Sequence, residues 1–302
     1  MLITKDFQEI NDYIKFLKAK KIKIFYTENK IPWTKYQKCI QPAMAVPYEL
    51  PKSTFVNIKQ LIKKSKSFLA RWTSDFTEKH TEWYWIVCES PFILKSLSHN
   101  VKNQIKKGLK NCEVKIINPI WLSDNGYNIY KIANTQRKQK TFVSKNQWKN
   151  DIRFSTNCKS SEFWGIFINN KLIGYCRCNI INNMISIASI YHDRNYLKYY
   201  PIYSLLYTML NCYLNKRMYY SISNGMLSIN HHTNMQGFLK KFGFKEQFCR
   251  LNIIYSPFFG FLVKIIYPFS GLINYIYKII SSDILYKIIV ILRQEKIRRS
   301  FL

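Results

Sequence analysis

The segment 185–244 constrains the fold most strongly, because strand and helix patterns alternate along it in a fixed order. Ile185–Tyr191 is an apolar, β-branched run of the kind found in buried strands. After a polar turn, Pro201 opens a helix whose apolar residues recur at i, i+3, i+4 and i+7. A second strand is predicted at 218–223, and a short helix that ends at Gly243 follows it. We therefore expect an α/β layer in which a helix N-terminus faces past the end of a strand.

The rest of the chain predicts further strands and helices, and its clearest signal is a hairpin. In 163–178, two strand patterns flank Asn169-Asn170, a pair that tolerates the positive φ of a two-residue turn. Upstream, a strand at 82–88, a basic helix at 97–109 and a strand at 114–117 predict a parallel pair. The other predicted elements are helices at 1–20, 55–62 and 129–139, strands at 22–26, 68–72 and 250–254, and an irregular stretch at 30–53.

Positive charge dominates the composition. Lysine and arginine number 47 against 17 acidic residues, a formal net charge of +30. This excess indicates a polyanionic partner, such as nucleic acid, an anionic membrane or a phosphate-rich cofactor, or simply a lysine-rich surface. With 47% hydrophobic and 16% aromatic residues, the chain can bury a sizeable core, which excludes a disordered protein.

The eight cysteines are scattered and form no C-x-x-C motif, which favours free thiols in a reducing compartment. The first residues lack the pattern of a signal peptide, so we expect a cytoplasmic protein. No metal site is predicted, because the adjacent side chains of His231 and His232 diverge and no third ligand is evident.

The segment 256–302 differs in character, being strongly apolar with isolated lysines and a basic end. No uncharged run reaches the roughly 18 residues that a spanning helix needs. We expect short amphipathic helices in the interface of a membrane. Two alternatives stay open: helices that cover the core or a dimer interface, and a tilted transmembrane span.

The order of hairpin, strand, turn, helix and strand, followed by Asn234 and the ending Phe238-x-x-Lys241-Phe242-Gly243-Phe244, resembles the GNAT acyltransferases. In addition, 97–109 is similar to a segment of the Fem-type branch, with Lys102 in place of an arginine. The resemblance implies a mixed central sheet with helices on both faces. It also implies a degenerate GNAT-like half at 1–140, a GNAT-like acyltransferase domain at 141–255 and a helical segment at 256–302.

The resemblance further implies that the pantetheine of acyl-CoA, with acetyl-CoA as the expected donor, lies beside the first strand. Its pyrophosphate would lie at the N-terminus of the Pro201 helix. The turn before that helix, 192–200, contains no glycine, so charged side chains would replace close backbone amides. The expected catalytic residues are His192, Asp193 and Tyr200, and the expected cofactor-binding residues are Ala188, Ile190, Tyr191, Arg194, Lys198 and Asn234.

The function that follows is N-acylation of an amine on a sugar, a lipid-linked intermediate or a small metabolite, at the cytoplasmic face of the membrane. Fem-type proteins imply a first alternative, in which aminoacyl-tRNA is the donor and a cell-wall precursor the acceptor. The second alternative is a basic nucleic-acid-binding protein without catalysis.

Overall fold

The computed structural model describes residues 11–50, 57–77, 79–139, 141–156, 158–229, 234–280 and 282–301. Within these ranges, one mixed sheet has the strand order β1-β2-β3-β4-β11-β5-β10-β9-β8-β7-β6. The strands are β1 (Ile24–Tyr26), β2 (Pro32–Tyr36), β3 (Cys39–Pro42), β4 (Leu69–Thr77), β5 (Tyr84–Glu89), β6 (Glu113–Ile116), β7 (Ser161–Ile168), β8 (Lys171–Ile181), β9 (Met184–His192), β10 (Ser221–Met226) and β11 (Lys245–Tyr255).

Helices flank this sheet. They are α1 (Asn11–Ala19), α2 (Ile58–Ser65), α3 (His99–Asn111), α4 (Pro119–Asn125), α5 (Tyr127–Gln136), α6 (Lys145–Arg153), α7 (Pro201–Leu210), α8 (Met235–Lys240), α9 (Pro257–Ile266), α10 (Ser270–Ile279) and α11 (Asp283–Arg299). A 3-10 turn, Arg194–Tyr199, precedes α7, and a π-helical turn, Asn211–Lys216, follows it.

Successive residues of the central strands point to opposite faces of the sheet and enter different cores. On β5, Ile86 and Cys88 join the core formed with α3 and α7, whereas Trp85 and Val87 join the core formed with α1 and α2. A third cluster, around Trp148, packs α4 to α6 against β7 and β8. This arrangement confirms the expected mixed sheet with helices on both faces.

Several local predictions are confirmed. Asn169 and Asn170 form the hairpin turn between β7 and β8, with φ of 48° and 62°. The helix opened by Pro201 is α7, and Asn234 caps α8 by accepting a hydrogen bond from the N–H of Gly237. Gly243 ends this short helical region with a positive φ of 84°.

Two local predictions are wrong. Strands β5 and β6 are not neighbours, because β6 pairs with β7 at the edge of the sheet and β10 lies beside β5. The stretch 30–53 is not irregular: it contains the antiparallel pair β2–β3, in which Pro32 occupies the first position of a strand and so removes no central ladder bond. The helix predicted at 129–139 is confirmed as α5, with its bounds shifted to Tyr127–Gln136, whereas α4 and α6 on either side of it were not predicted. The first ten residues of the predicted N-terminal helix, and His231 and His232, lie outside the described residues.

The C-terminal segment divides into two parts. Helix α11 buries Ile289, Leu292 and Ile297, and thus covers the core next to β11. In contrast, α10 has no buried residue. Helices α9 and α10 join through a 3-10 turn into one helical stretch, Pro257–Ile279, which among the described residues has the length and apolar composition needed to cross a membrane.

Candidate functional site

Strands β9 and β10 run parallel but pair over only three positions. Met184, Ile185 and Ser186 face Ser221, Ile222 and Ser223 in that register. Beyond these pairs, β9 continues along β8 as far as the pair of His192 with Gly174. Strand β10 continues along β5 instead, ending with the pair of Met226 and Trp85. The two strands therefore separate toward their C-terminal ends, and we call the region between these unpaired ends the β9–β10 cleft.

A bulge on each strand accounts for this divergence. On β9, Ile187 pairs with Cys178 and Ser189 pairs with Arg177, so Ala188 is an extra residue. On β10, a second register shift lies between Ser223 and Met226. A bulge bends its strand and increases the local twist. Because each bulge faces an outer neighbour, β8 or β5, both strands can turn apart at the same level of the sheet.

Gly225 lies within the β10 bulge and has a φ of +85°, a conformation that side chains rarely adopt. Its N–H donates to the Ser223 hydroxyl, which in turn donates to the carbonyl of Ile86 on β5. Asn224-Gly225 thus shapes the backbone at the mouth of the cleft.

The N-terminus of α7 lies against the C-terminal half of α3. Tyr200 precedes α7 in a left-handed conformation, and its carbonyl accepts from the N–H groups of Tyr203 and Ser204. A Cβ atom on Gly108 of α3 would lie 2.7 Å from this carbonyl oxygen. Since Pro201 has no N–H group, the first turn of α7 offers fewer free donors to an anion than the sequence suggested.

Asp193 is buried and organises the turn before α7. Its carboxylate accepts from the side-chain amide of Gln136, at 2.9 Å, and from the N–H of Asn195. Gln136 also accepts from the N–H of Arg194, at 2.8 Å. These bonds join the end of β9 to α5. The contacts of Asp193 are therefore those of a residue that fixes the shape of the turn.

His192 is half-buried at the end of β9, and its Nδ1 atom is buried without a hydrogen-bond partner among the described residues. Burial, together with the positive charges of Arg137 and Arg194, lowers the pKa of His192 to about 4. The imidazole is therefore neutral near pH 7 and keeps a lone pair that can accept a proton.

Cations rest on tyrosine rings around the same turn. The distances from charge to ring centre are 5.9 Å for Lys107 on Tyr200, 5.1 Å for Lys198 on Tyr199, 5.5 Å for Lys171 on Tyr196 and 5.4 Å for Arg137 on Tyr191. Such contacts hold positive charge beside an aromatic face. The surface from β9 to α7 is thus both basic and aromatic.

The expected cofactor-binding residues do not all lie in equivalent environments. Ala188 is exposed at the bulge and Ile190 is half-buried. Tyr191 packs instead against Tyr130 and Tyr175 on the α5 side of the sheet. Arg194 and Lys198 are exposed on the turn, and the side-chain oxygen of Asn234 is engaged in capping α8. The structure leaves the roles of these residues as predictions.

Sequence reasoning missed Gln136, Arg137 and Gly108. The first two belong to the end of α5, and only the folded chain brings that helix end to β9. Gly108 gave a partial signal, because it is a small residue within a basic helix that resembles a Fem-type segment. Within the described ranges, no three His, Cys, Asp or Glu side chains cluster as metal ligands would.

Solved structures share this architecture. The C-terminal DUF2156 domain of a putative lysylphosphatidylglycerol synthetase from Agrobacterium fabrum matches with a TM-score of 0.59 and 9% identity, covering 82% of this chain and 87% of that one. FemX matches with a TM-score of 0.55 and 8% identity, covering 80% and 90%. L-PGS from Bacillus licheniformis matches with a TM-score of 0.51 and 11% identity, covering 85% and 93%.

No protein-family model matches the sequence, and no curated protein matches it. At identities of 8–11%, the structural likenesses show the fold alone. That fold is the large mixed sheet flanked by helices described above. The chain therefore has a GNAT-like fold, in the form that it shares with FemX and with the lysylphosphatidylglycerol synthetase domain.

Proposed function

We propose that the protein is a GNAT-fold transferase that moves an acyl or aminoacyl group to an amine. The observation that carries the proposal is the β9–β10 cleft, since pairing ends at Ser186 and Ser223 while both strands continue. Unpaired strand backbone can bind an extended donor arm in the way that a sheet edge binds an added strand. The donor would thus lie along β9, beside Ala188 and Ile190.

The chemistry needs a nucleophile and a few proton transfers. The acceptor nitrogen attacks the donor carbonyl, a C–N bond forms, and the thioester or ester bond to the donor breaks. The amine loses a proton to a base, and the leaving sulfur or oxygen gains one. His192, neutral near pH 7, is the proposed base, and Tyr200 is the proposed acid. Asp193 would position the turn that carries both residues.

For acyl-CoA, with acetyl-CoA as the first candidate, Arg194 and Lys198 would meet the pyrophosphate. Their charges would compensate for a turn without glycine, in which backbone cannot approach phosphate closely. We propose that Tyr191 and Asn234 help to shape the donor site rather than serve as main ligands, because the Tyr191 ring packs against Tyr130 and the Asn234 side chain caps α8.

Specific observations favour aminoacyl-tRNA as the second candidate donor. Two N–H groups of the first α7 turn already bond to Tyr200, which weakens a pyrophosphate site there. The adjoining surface combines cations with tyrosine rings, and this combination suits the phosphates and bases of a single-stranded nucleic-acid end. The name of one structural neighbour, a putative lysylphosphatidylglycerol synthetase, describes an aminoacyl group joined to a lipid. A lipid-linked acceptor remains part of the proposal for this reason.

The proposed compartment is the cytoplasm, at the face of the membrane that presents such an acceptor. All eight cysteines are free in the structure, and five of them are buried. This usage of cysteine is typical of proteins that fold in a reducing compartment.

The test is a transfer assay on the purified full chain. Radiolabelled acetyl-CoA and labelled aminoacyl-tRNA are each supplied with amine-bearing lipids, sugars and polyamines, and product is identified by mass spectrometry. The variant Arg194→Glu/Lys198→Glu reverses two charges beside the cleft, and we expect donor binding to weaken at least tenfold, with a reduced salt dependence.

The matched control is Lys59→Glu/Lys63→Glu, which makes the same change in net charge on the exposed face of α2, at the other end of the sheet. It should bind donor as the wild type does. An equal loss of donor binding in both variants would show that the donor is held by nonspecific attraction between the basic protein and a polyanion. Salt-dependent binding of any nucleic acid, with no transfer from either donor, would instead support a non-catalytic nucleic-acid-binding protein.

A further inference from the structure

One face of the Pro257–Ile279 stretch carries an unbroken stripe of exposed apolar side chains. These side chains are 48–74% exposed and follow one another every three or four residues: Phe258, Phe261, Ile265, Phe269, Leu272, Tyr275 and Ile279. Spacing of this kind places them on one side of a helix. The stretch has 23 residues, which corresponds to about 34 Å of helix. We call this surface the C-terminal stripe.

The opposite side of the same helical stretch is attached to the body of the protein. Phe259 stacks on Phe68, which precedes β4, with 5.0 Å between ring centres. Val263 is buried. Near the middle, the Arg299 guanidinium lies 3.9 Å from the centre of the Tyr267 ring, so α11 packs alongside. The stripe is thus the side that the fold leaves uncovered.

The helical stretch that carries the stripe is also positively charged. Lys264 and Lys278 are exposed on the same stretch, and it contains no acidic residue. Lysine side chains beside a buried apolar face can keep their ammonium groups at the level of lipid phosphates. The charge of the whole chain, +30, adds attraction to an anionic surface.

The packing of α11 distinguishes a helix that lies on a bilayer from one that crosses it. The Glu295 side chain is 2% exposed and is bonded to Tyr255, Arg298 and Arg299. This charged cluster adjoins Tyr267, in the middle of the apolar stretch. Crossing the bilayer would carry the cluster into hydrocarbon, whereas lying in the interface immerses the stripe alone.

We propose that Pro257–Ile279 lies in the plane of a membrane interface and binds the protein to a bilayer that carries anionic lipid. The proposal is independent of the transferase activity, since it rests on the exposure and charge of α9 and α10. It identifies the partner of this surface as lipid rather than a second copy of the chain.

The test is flotation of the purified full chain with vesicles of phosphatidylcholine, with and without about 30 mol% phosphatidylglycerol to supply a negative surface potential. We expect binding to the anionic vesicles, weakened by salt. Phe261→Ser/Leu272→Ser should reduce the partition coefficient about a hundredfold, because two large side chains leave the lipid. Both residues are exposed, so the fold should be retained, as circular dichroism can verify.

The control for apolar loss is Ile93→Ser/Met218→Ser, at exposed positions outside the stripe. A second variant, Lys264→Glu/Lys278→Glu, should lower anionic binding at least tenfold and leave neutral vesicles unaffected. Its matched control is Lys145→Glu/Lys159→Glu, exposed lysines near the β7 end of the molecule.

Unaltered binding of the stripe variants, or no binding by the wild type, would overturn the proposal. So would a wild-type dimer in lipid-free solution that Phe261→Ser/Leu272→Ser converts to a monomer, because a second copy would then cover the stripe. Protein that stays with native membranes through alkaline carbonate extraction would indicate a crossing helix, and release would agree with an interfacial one.

Discussion

At the end of β9, the His192 side chain meets positive charge from two residues, Arg137 and Arg194. Burial is the largest cause of the low pKa of His192, which is about 4, and these two charges lower it further. A base with so low a pKa has little affinity for a proton in the free protein. An anionic donor near either arginine would partly cancel its charge and raise the pKa of His192 toward the working range.

We therefore expect Arg137→Gln to raise the pKa of His192, because it removes the larger of the two charge effects. The pKa can be followed by NMR titration of the imidazole resonances, assigned with a His192→Asn variant. Arg153→Gln, which removes an exposed ion pair of Asp124, is the control and should leave this pKa unchanged.

The lowered pKa of His192 also makes the stability of the fold depend on pH. In the unfolded chain a histidine titrates near 6.5, so between about pH 6.5 and 4 the unfolded state binds a proton that native His192 does not. This residue therefore contributes stability above that window, and the contribution is lost as the pH falls through it. A titration in which native His192 is protonated at pH 6 would contradict the expectation.

At the scale of elements, the approach of α3 to α7 depends on Gly108. A Cβ atom there would lie 2.7 Å from the Tyr200 carbonyl oxygen and 3.2 Å from Ser204 Cβ. The oxygen belongs to backbone and cannot move aside as a flexible side chain could. We expect Gly108→Ala to lower the free energy of unfolding by about 1–3 kcal/mol, measured by urea denaturation.

Gly271→Ala is the matched control for this prediction. Gly271 also lies in a helix, but a Cβ atom there meets no atom within 4 Å. Alanine has the higher helix propensity, so this variant should equal the wild type or exceed it by up to about 1 kcal/mol. If the two alanine variants unfold alike, close packing at Gly108 is not what requires glycine.

Elements with strong local signals could be predicted from the sequence, whereas their neighbours in the sheet could not. Asn169-Asn170 determines its hairpin through backbone preferences within a few residues. The placement of β5 between β11 and β10 depends on partners that lie more than a hundred residues away. Local patterns carry no record of such pairings, which explains why the predicted β5–β6 pair is wrong.

In the candidate site, too, the parts with local sequence signals could be predicted and the contacts between distant residues could not. The end of β9 and the turn after it could be identified because they are contiguous with the Pro201 helix. Gln136 and Arg137 could not, since their proximity to β9 arises only when α5 folds back on the sheet. The two bulges could not be predicted from the sequence either, because a bulge is defined by the register of a strand against its partner.

At the scale of the whole molecule, one sheet joins the units that the resemblance implies. Strand β5, from the proposed half 1–140, pairs with β10 and β11 of the proposed domain 141–255. Strand β6 likewise pairs with β7. We propose that these units are topological halves that share strands, rather than domains that fold separately.

A fragment of residues 141–255 should therefore show no cooperative thermal transition, because it lacks the neighbours of β7, β10 and β11. A fragment of residues 82–255 is the control. It restores β5 and β6 and keeps seven adjacent strands, from β11 to β6. It should resist proteolysis longer than 141–255 does. A cooperative transition in the shorter fragment, by circular dichroism and calorimetry, would show autonomous folding.

The insertion of β11 between β4 and β5 has a consequence for synthesis in the cell. Both earlier strands leave the ribosome long before Tyr255, the last residue of the strand that joins them, has been translated. At roughly 5–20 residues per second, the delay is on the order of ten to thirty seconds. During that interval β4 and β5 lack the strand that pairs with both of them, and we expect the nascent chain to rely on chaperones until β11 has emerged.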